Sequence, residues 1–374
     1  MEGTKPRTAS SLGMFDLLKG VGMLLIVFAH TSELYPVGDI STITPVTFFL
    51  FAYRESLMAA FYIASGYGFR KRSIGKCISQ QFKTLFKPYA YTGLATTIAH
   101  FVIHYKTFGN WNNAVYETYK VLGGFVLGLP HTATYFGQEF FSCGPMWYLL
   151  ALMIGWILLD IILNIFPESY IKWAVLGTML LGWGISLVWE APFCIAQGMV
   201  TVPYLYIGFL AKKKRLFEKK FRPLAILGLL AAALGVALGV LLTGKTDCVS
   251  LGEWTMGPVS ILLDGIVGLG FIVLFMKVQR LLDNPVNPLI EAVGRRSLYI
   301  FCIHTVELTA VPWYLMVQKY AAAPAKGLWL QYAVSLGSIF LLCEILLRRR
   351  DVMLKFFPAR RRHFAEHKRY VAKH

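Results

Sequence analysis

Charged residues are scarce in this sequence, and acidic residues are the scarcest. Only 15% of the 374 residues are charged, with 20 Asp and Glu against 37 Lys and Arg. A soluble domain would carry roughly a quarter charged residues. Mean hydropathy is +0.55, and the apolar residues fall in blocks near the length of about 20 residues that crosses a bilayer. The composition excludes a soluble protein and predicts an all-α fold, a polytopic bundle of membrane helices.

Cysteine is also sparse, and its spacing excludes two common roles. The six cysteines form no CxxC pair, and no metal-site spacing is present. Cys302 and Cys343 lie in apolar blocks, where a thiol behaves as a small core side chain. Cys194 and Cys248 fall in segments that we place outside the membrane, so a disulfide between them stays open beside free thiols. The sequence predicts no metal cofactor.

The apolar blocks predict ten membrane spans. Their approximate bounds are 13–32, 47–69, 85–104, 145–165, 172–189, 198–211, 223–243, 257–276, 298–318 and 328–347. The first block follows Lys5 and Arg7, as in a signal peptide, but it lacks a small-residue cleavage site and many more blocks follow. We therefore expect it to be retained as the first helix of the bundle.

Basic residues are concentrated between alternate blocks. The basic segments are 70–87, 212–222, 277–297 and the tail from residue 348. With ten spans they all fall on one side, which the positive-inside rule makes the cytoplasm, together with both termini. The net charge of +17 therefore indicates orientation in the lipid bilayer and not binding to nucleic acid. We predict a cytoplasmic N-terminal segment 1–12, a transmembrane domain 13–347 and a basic cytoplasmic tail 348–374.

The longest segment on the other side of the membrane is 105–144. Its middle, 121–129, is apolar but too short to span, which favours a re-entrant or surface-lying piece. The segment is rich in Tyr, Phe and Trp. These side chains suit stacking on a sugar, and they equally suit an ordinary aromatic belt at the bilayer surface.

A polar stripe runs along the first predicted helix. Lys19 and His30 are eleven residues apart, about 20° past three full turns, so they share one face roughly 16 Å apart. Asp16 and Glu33 are each three residues away and lie on the neighbouring surface. Ionisable groups within a span mark a substrate path by default. The alternative is an interfacial histidine at the outer end and a lysine that extends to the inner surface.

Five motifs in order carry a family resemblance. They are DLLKG…FAH, FYIASGYGFRKR, GPMWYLLAL, VPYLYIGFLAKK and GRRSLYIFCIH. In this order they resemble membrane acyltransferase family 3, whose ten-span members O-acylate sugars and related hydroxyl compounds. The resemblance covers about 12–347. The family signature in the first helix is a basic residue, ten intervening residues and a histidine, which Lys19 and His30 match with Lys in place of the commoner Arg.

The resemblance implies a reaction and a catalytic residue. It identifies His30 as the catalytic histidine of an O-acyltransferase, of the O-acetyltransferase type, that uses acyl-CoA and most often acetyl-CoA. The acceptor would be an extracytoplasmic glycan, a glycolipid or another polysaccharide of the cell envelope, and the protein a multi-pass protein of a bacterial cytoplasmic membrane. Histidine suits the general base that such a transfer needs. Glu33 is a candidate to orient the imidazole, and a solvated loop charge is the alternative.

A cationic cluster is the candidate site for the phosphates of acyl-CoA. Its members lie at the cytoplasmic end of the second span and the start of the third: Arg70, Lys71, Arg72, Lys76, Lys83 and Lys87. Lys19 and Arg295 are added because they lie on the same predicted side. Guanidinium and ammonium groups both bind phosphate. The alternative is that these residues only set topology. The RxxR pattern of the family has no good match here.

The remaining candidates are aromatic residues and histidines. Trp147 and Tyr148, in GPMWYLLAL, are candidates to line a substrate cavity, or belong to the interfacial belt. His304 lies about two turns into the ninth predicted span, where an imidazole needs a partner or water, so a structural role and contact with substrate are both open. His100 and His104 share a helix face without a third ligand, which indicates interfacial residues and not a metal site.

Two other functions stay open beside the acyltransferase. Ten spans with interior charges also suit a transporter, whose proton or solute path would follow the Lys19 and His30 stripe. Against it, the sequence shows no paired half-helices broken at matching positions. An inactive relative that acts as a sensor is the third possibility, disfavoured by the retained His30. The sequence fixes neither the acceptor, the acyl chain length nor an oligomeric state.

Overall fold

The computed structural model describes residues 13–35, 45–219, 223–281 and 286–356. The predicted N-terminal segment 1–12, and the tail beyond residue 356, lie outside the described residues.

One hairpin is present in the described residues, in which β1 (Ala133–Tyr135) pairs antiparallel with β2 (Gln138–Phe140). The helices are α1 (Gly13–Glu33), α2 (Pro45–Ala52), α3 (Arg54–Gly68), α4 (Ile74–Gln81), α5 (Lys87–Phe108), α6 (Trp111–Leu127), α7 (Trp147–Ile165), α8 (Glu168–Val188), α9 (Ile195–Lys213), α10 (Pro223–Thr243), α11 (Pro258–Leu281), α12 (Val286–Arg295), α13 (Ser297–Ala310), α14 (Tyr314–Lys319) and α15 (Pro324–Phe356). The predicted all-α polytopic bundle is confirmed.

Seven helices in the described ranges are long and apolar enough to cross a membrane. Their spans are Met14–Glu33, Gly144–Ile165, Glu168–Val188, Pro192–Lys213, Pro223–Thr243, Pro258–Gln279 and Pro324–Arg349. They correspond to the first, fourth to eighth and tenth predicted spans. The second, third and ninth predicted spans do not each correspond to one of these seven helices. The total of ten spans stays a prediction.

The second predicted span, 47–69, is wrong as one continuous helix. It is divided at Tyr53, which has φ −107° and ψ 13° and separates α2 from α3. The hydroxyl of Tyr53 donates to the carbonyl of Ala233 in α10 at 2.9 Å, which fixes the break against a neighbouring helix. Arg54 and Glu55 therefore begin a helix instead of interrupting one.

The third predicted span, 85–104, is part of a longer helical run. α4, a π-helical turn at Phe82–Phe86 and α5 follow one another without a break from Ile74 to Phe108. The lower part of this run packs along α7, where the Cys77 thiol lies 3.9 Å from the Trp156 carbonyl. A π turn holds one residue more than an α turn, so it shifts the side chains that follow.

The apolar stretch 121–129 belongs mostly to α6, which returns antiparallel to α5 after a turn at Gly109 and the helix cap Asn110. Its predicted place at the membrane surface or within the bilayer stays a prediction. Two contacts fix the pair: the hydroxyl of Tyr89 donates to the Phe125 carbonyl at 2.5 Å, and His100 Nδ1 lies 2.9 Å from Thr118 Oγ1. Sequence hydropathy missed α6 because its first half is polar.

The ninth predicted span, 298–318, is also wrong as one helix. α13 ends at Ala310, and Val311 is extended with φ −87° and ψ 127°. Pro312 follows, and the residue before a proline is disfavoured in the helical conformation. The chain then forms the short helix α14, so that His304 lies in a helix of only 14 residues.

The core of the bundle includes close helix contacts between the sequence motifs. α3 packs against α9 and α11, and α1 packs against α12. Gly66 has no room for a Cβ atom, which would collide with the carbonyl of Leu205, and Gly208 is blocked in the same way by the carbonyl of Ile63. Small residues allow such close approach between membrane helices. The glycines of FYIASGYGFRKR and VPYLYIGFLAKK thus meet each other across α3 and α9.

All six cysteines are free thiols. The disulfide left open between Cys194 and Cys248 is not formed. The thiol of Cys194 lies 3.1 Å from the Gly128 carbonyl, and that of Cys248 lies 3.2 Å from Ser250 Oγ. Burial raises the pKa of the Cys248 thiol, with a further contribution from the nearby carboxylate of Glu55.

Candidate functional site

His30 lies in the last turn of α1 within a chain of charged side chains. Its Nδ1 is 3.4 Å from Glu33 Oε2, and the other carboxylate oxygen of Glu33 is 3.3 Å from Arg54 NH1. Arg54 Nε is in turn 3.8 Å from Glu55 Oε1. A proton on Nδ1 satisfies the contact to Glu33 and leaves Nε2 as the basic nitrogen. The His30 side chain is 31% exposed.

The break at Tyr53 accounts for the position of Arg54. A helix that starts at residue 54 points its first side chains toward the end of α1, because α1 and α3 run antiparallel. Glu55 is almost fully buried, with one carboxylate oxygen that has no hydrogen-bond partner among the described residues. A buried carboxylate without a cation is costly, so Arg54 supports Glu33 and Glu55 together.

His304 of α13 lies against His30. The two imidazole rings have centroids 5.7 Å apart and planes tilted by 35°. His304 Nδ1 is 3.2 Å from Glu307 Oε2, and Glu307 Oε1 accepts a hydrogen bond from Ser335 of α15 at 2.8 Å. His304 is 1% exposed, and its Nε2 has no hydrogen-bond partner among the described residues. Two imidazole–carboxylate pairs therefore meet at one place.

Sequence reasoning missed Arg54, Glu307 and Ser335. For Glu307 a signal was present, because HTSE at 30–33 and HTVE at 304–307 repeat the same four-residue pattern. A spacing of three places His and Glu on neighbouring helix positions in both cases. No local signal identifies Ser335 or Arg54, since their partners are distant in sequence.

Of the predicted aromatic residues, Tyr148 packs against Phe301, which lies about one helical turn before His304 on α13. Tyr148 packs its ring 4.7 Å from that of Tyr62 and 6.1 Å from that of Phe301. Trp147, beside Tyr148, is partly exposed. Tyr148 is thus a neighbour of the histidine helix α13, and Trp147 packs beside Tyr148. No hydrogen bond joins either of them to an imidazole of the described chain.

Lys19 and Arg295 lie together at the other end of α1. The carboxylate of Asp16 interacts electrostatically with both, because α12 packs against the first turns of α1. Arg295 also forms an ion pair with Glu291, with NH1 3.5 Å from Oε2. Lys19 is half-buried. These two cations are therefore separated from His30 by most of the length of α1, as the helical spacing predicts.

The cluster at 70–87 contains two kinds of cation. Arg72 is held by its own chain: its backbone N–H donates to Asp160 Oδ1 at 3.0 Å, and its guanidinium donates to Gln80 Oε1. Arg70 lies near Lys212. The other members are exposed lysines that form no salt bridge with another described residue: Lys71, Lys76, Lys83 and Lys87.

Lys83 lies between two contacts that α4 and α5 make with α7 and the residues before it. It follows Cys77, which touches Trp156 at the middle of α7, by six residues or about 9 Å of helix. It precedes Tyr89, which contacts Cys143 just before the start of α7, by six more. The exposed ammonium group thus lies beside the N-terminal half of the candidate span Gly144–Ile165. A charge within a span is costly unless it faces water.

The other histidines within the described ranges have partners of their own. His100 and His104 stack with ring centroids 5.3 Å apart, His100 bonds Thr118, and His104 Nε2 is 2.9 Å from Asn113 Nδ2. His131, which had no context in the sequence, bridges the Ser250 carbonyl and Glu190. Within the described ranges, no group of three or more His, Cys, Asp or Glu is arranged to hold a metal ion.

The comparisons with known proteins identify the family. The sequence profile of the family described as "Acyltransferase domain" matches residues 13–348. The match covers most of the chain, so this protein belongs to that family and is a membrane acyltransferase. No curated protein and no solved structure matches the chain. The family membership confirms the resemblance carried by the five motifs, and it favours an enzyme over a transporter.

Proposed function

We propose that this protein is an O-acyltransferase that moves an acyl group, acetyl by preference, from cytoplasmic acyl-CoA to a hydroxyl group of an extracytoplasmic glycan or glycolipid. The observation that carries the proposal is the accessible imidazole of His30, whose Nδ1 faces Glu33 and whose Nε2 is left to act as a base. The proposal includes a multi-pass protein in a bacterial cytoplasmic membrane that modifies polysaccharide of the cell envelope.

The reaction needs a base and an enclosed site. A hydroxyl group attacks a thioester slowly until its proton is removed as the new bond forms. His30 Nε2 takes that proton while the hydroxyl oxygen bonds to the thioester carbon and the carbon–sulfur bond breaks. Glu33 holds Nδ1–H and favours the imidazolium that results, as the carboxylate of a catalytic triad does. Exclusion of bulk water by the bundle protects the thioester from hydrolysis.

Acyl-CoA is proposed to approach from the cytoplasmic side along α4. Arg70, Lys71, Arg72, Lys76, Lys83 and Lys87 provide the positive charge for its phosphates. The exposed lysines support this role better than Arg72, whose guanidinium is already bonded to Gln80. Lys19 and Arg295 belong to the same proposal at the end of α1, where the carboxylate of Asp16 interacts electrostatically with both.

The acceptor is proposed to enter from the opposite side. Trp147 and Tyr148 lie next to α13, where their rings suit contact with the faces of a sugar. Residues of α6 add exposed aromatic surface, including Trp111 and Tyr116. A glycan acceptor fits this combination of exposed rings and polar groups better than a purely apolar molecule does.

The central test is a histidine substitution with a matched control. Purified protein in nanodiscs is given acetyl-CoA, with methyl glucoside or water as the hydroxyl acceptor, and release of the CoA thiol is measured. His30→Asn should lower kcat at least about 100-fold, while His100→Asn, at a hydrogen-bonded histidine away from the pair, should leave it unchanged. Equal rates in both variants would refute the base assignment, and substrate-driven uptake into vesicles without acyl transfer would favour a transporter.

A further inference from the structure

The two HTxE segments form matching units on helices from opposite ends of the chain. In each unit Nδ1 of the histidine faces the carboxylate three residues later, at 3.4 Å in α1 and 3.2 Å in α13. The threonine in each unit donates to the carbonyl four residues back, Thr31 to Val27 and Thr305 to Phe301. Both imidazoles are thus presented with Nδ1 occupied and Nε2 available.

Burial gives the two histidines different roles. The side chain of His30 is 31% exposed and that of His304 is 1% exposed, so only His30 is open to a substrate. Yet Nε2 of His304 is buried with no hydrogen-bond partner in the described chain. An orphaned nitrogen is costly in a dry interior. Its nearest aromatic neighbour is His30, at 5.7 Å between ring centroids.

The second partners of the carboxylates set the local charge. Glu33 and Glu55 share the one positive charge of Arg54, whereas Glu307 has, besides His304, only the uncharged hydroxyl of Ser335 among the described residues. Counting one charge for each of Glu33, Glu55, Arg54 and Glu307, the site carries two uncompensated negative charges, and one of them is on Glu307 beside His304. A proton added to the two histidines is therefore favoured next to Glu307, and a second proton would meet repulsion between the imidazoles.

We propose that His30 and His304 act as one proton-holding pair, in which His304, fixed by Glu307 and Ser335, is a positioning residue that receives the proton His30 removes from the acceptor. This inference rests on the proposed acyl transfer. The proton is held on the buried imidazole of His304, next to the carboxylate of Glu307, which has no other cation among the described residues.

The proton transfers balance as follows. The hydroxyl proton moves to His30 Nε2 as the oxygen–carbon bond forms, and the carbon–sulfur bond of the thioester breaks. The pair holds this one proton, stabilised by Glu307, until the sulfur of CoA takes it and leaves as the thiol. Both imidazoles are then neutral again, and no other reactant is consumed.

The test separates proton acceptance by His304 from hydrogen bonding. An asparagine amide reaches the position of Nδ1 and keeps the contact to Glu307, whereas a glutamine amide reaches the position of Nε2, and neither amide accepts a proton near neutral pH. With acetyl-CoA and methyl glucoside, His304→Asn and His304→Gln should each lower kcat about 100-fold with KM for acetyl-CoA within about twofold. Added imidazole, which does accept a proton, should partly restore His304→Gly.

A double substitution and a control decide whether His304 acts through His30. If it does, His30→Asn/His304→Asn is no slower than His30→Asn alone, because the effects of coupled residues are not additive. Ser338→Ala, one turn from Ser335, serves as the control and should match the wild type. Spectra of ¹⁵N-labelled histidine should also show that the two imidazoles bind one proton between them across pH 5 to 8.

The outcomes distinguish this inference from the proposed function. A wild-type kcat in a folded His304→Asn protein, fully additive losses in the double variant, or two imidazoles that titrate independently would each overturn the proton-holding pair while leaving His30 as the base. Undiminished transfer in His30→Asn would instead overturn the proposed mechanism itself.

Discussion

At the residue scale, Arg54 is a side chain that contacts two carboxylates at once. It contacts Glu33, the partner of His30, through one terminal nitrogen, and the buried Glu55 through Nε. The arginine fork suits two carboxylates at once, which the single ammonium group of lysine does not. Arg54 therefore links the stability of the start of α3 to the orientation of the proposed base.

We expect Arg54→Met to destabilise the protein by about 1–3 kcal/mol, because it leaves the carboxylate of Glu55 buried without a cation. Arg54→Met/Glu55→Gln should recover most of the loss, since Glu33 is 54% exposed and no buried charge then lacks a partner. Thermal unfolding in detergent, followed by circular dichroism, measures both. A double variant no more stable than Arg54→Met would show that the ion pair is not the cause.

The residues of the site differ in how far sequence alone could predict them. The contact of His30 with Glu33 was predictable because a spacing of three fixes it within one helix. The contact of His30 with His304 was not, because it depends on how α1 and α13 pack. The resemblance marked both histidines, but the repeated HTxE pattern gains meaning only when the two helices are adjacent.

At the element scale, the sequence motifs mark places where helices touch. Gly66 in α3 and Gly208 in α9 each face a carbonyl group of the other helix. The pair of helices is thus held at a distance that a single methyl group would disturb. The same holds for α1 and α12, where Gly20 faces the carbonyl of Ile290.

Gly208→Ala is expected to destabilise the protein by about 1–3 kcal/mol, because an added methyl group must push α3 away from α9. The control is Gly177→Ala in α8, where a Cβ atom meets nothing within 4 Å and alanine favours the helix. The melting temperatures of the two variants should therefore move in opposite directions. A loss of equal size at Gly177 would mean that the helix contact is not what glycine protects.

Element boundaries were predicted well where an apolar block coincided with a whole helix and poorly elsewhere. The first, fourth and seventh predicted spans fit their helices closely, because the apolar block extends over the full length of each helix. The division at Tyr53 was missed because six of the eight residues of α2 and most of α3 are apolar, so their hydropathy merges. Pro312 itself indicates the division between α13 and α14. The apolar residues on both sides of it nevertheless made 298–318 resemble one continuous span.

At the scale of the whole molecule, charge is distributed along the membrane normal as well as between its sides. The exposed Lys83 lies beside the N-terminal half of α7, and Lys87 follows it by one turn. Topology alone does not require cations within the length of a span, because the positive-inside rule concerns the loops. Their position is compatible with the proposed binding of the phosphates of acyl-CoA.

We expect Lys83→Glu to raise KM for acetyl-CoA about tenfold, with kcat within about twofold, because a charge-assisted contact to phosphate is lost and replaced by repulsion. Arg72→Glu should have a smaller effect, since its guanidinium is already engaged by Gln80. Steady-state kinetics measure both, with Lys172→Glu on α8 as the control. Unchanged KM values in all three variants would support a purely topological role for the cluster.

The π turn at Phe82–Phe86 keeps the inner face of the longest helical run in register. Buried side chains of this run recur every four residues, at Cys77, Gln81, Tyr89, Gly93 and nearby positions, and steps of four drift by about 40° per turn in an ideal helix. The wider turn absorbs that drift midway. Deleting one residue within the π turn would convert it to an α turn, and the second half of the run would still face α6 and α13. Deleting one residue further along would instead rotate every later side chain by about 100° about the helix axis, away from those helices.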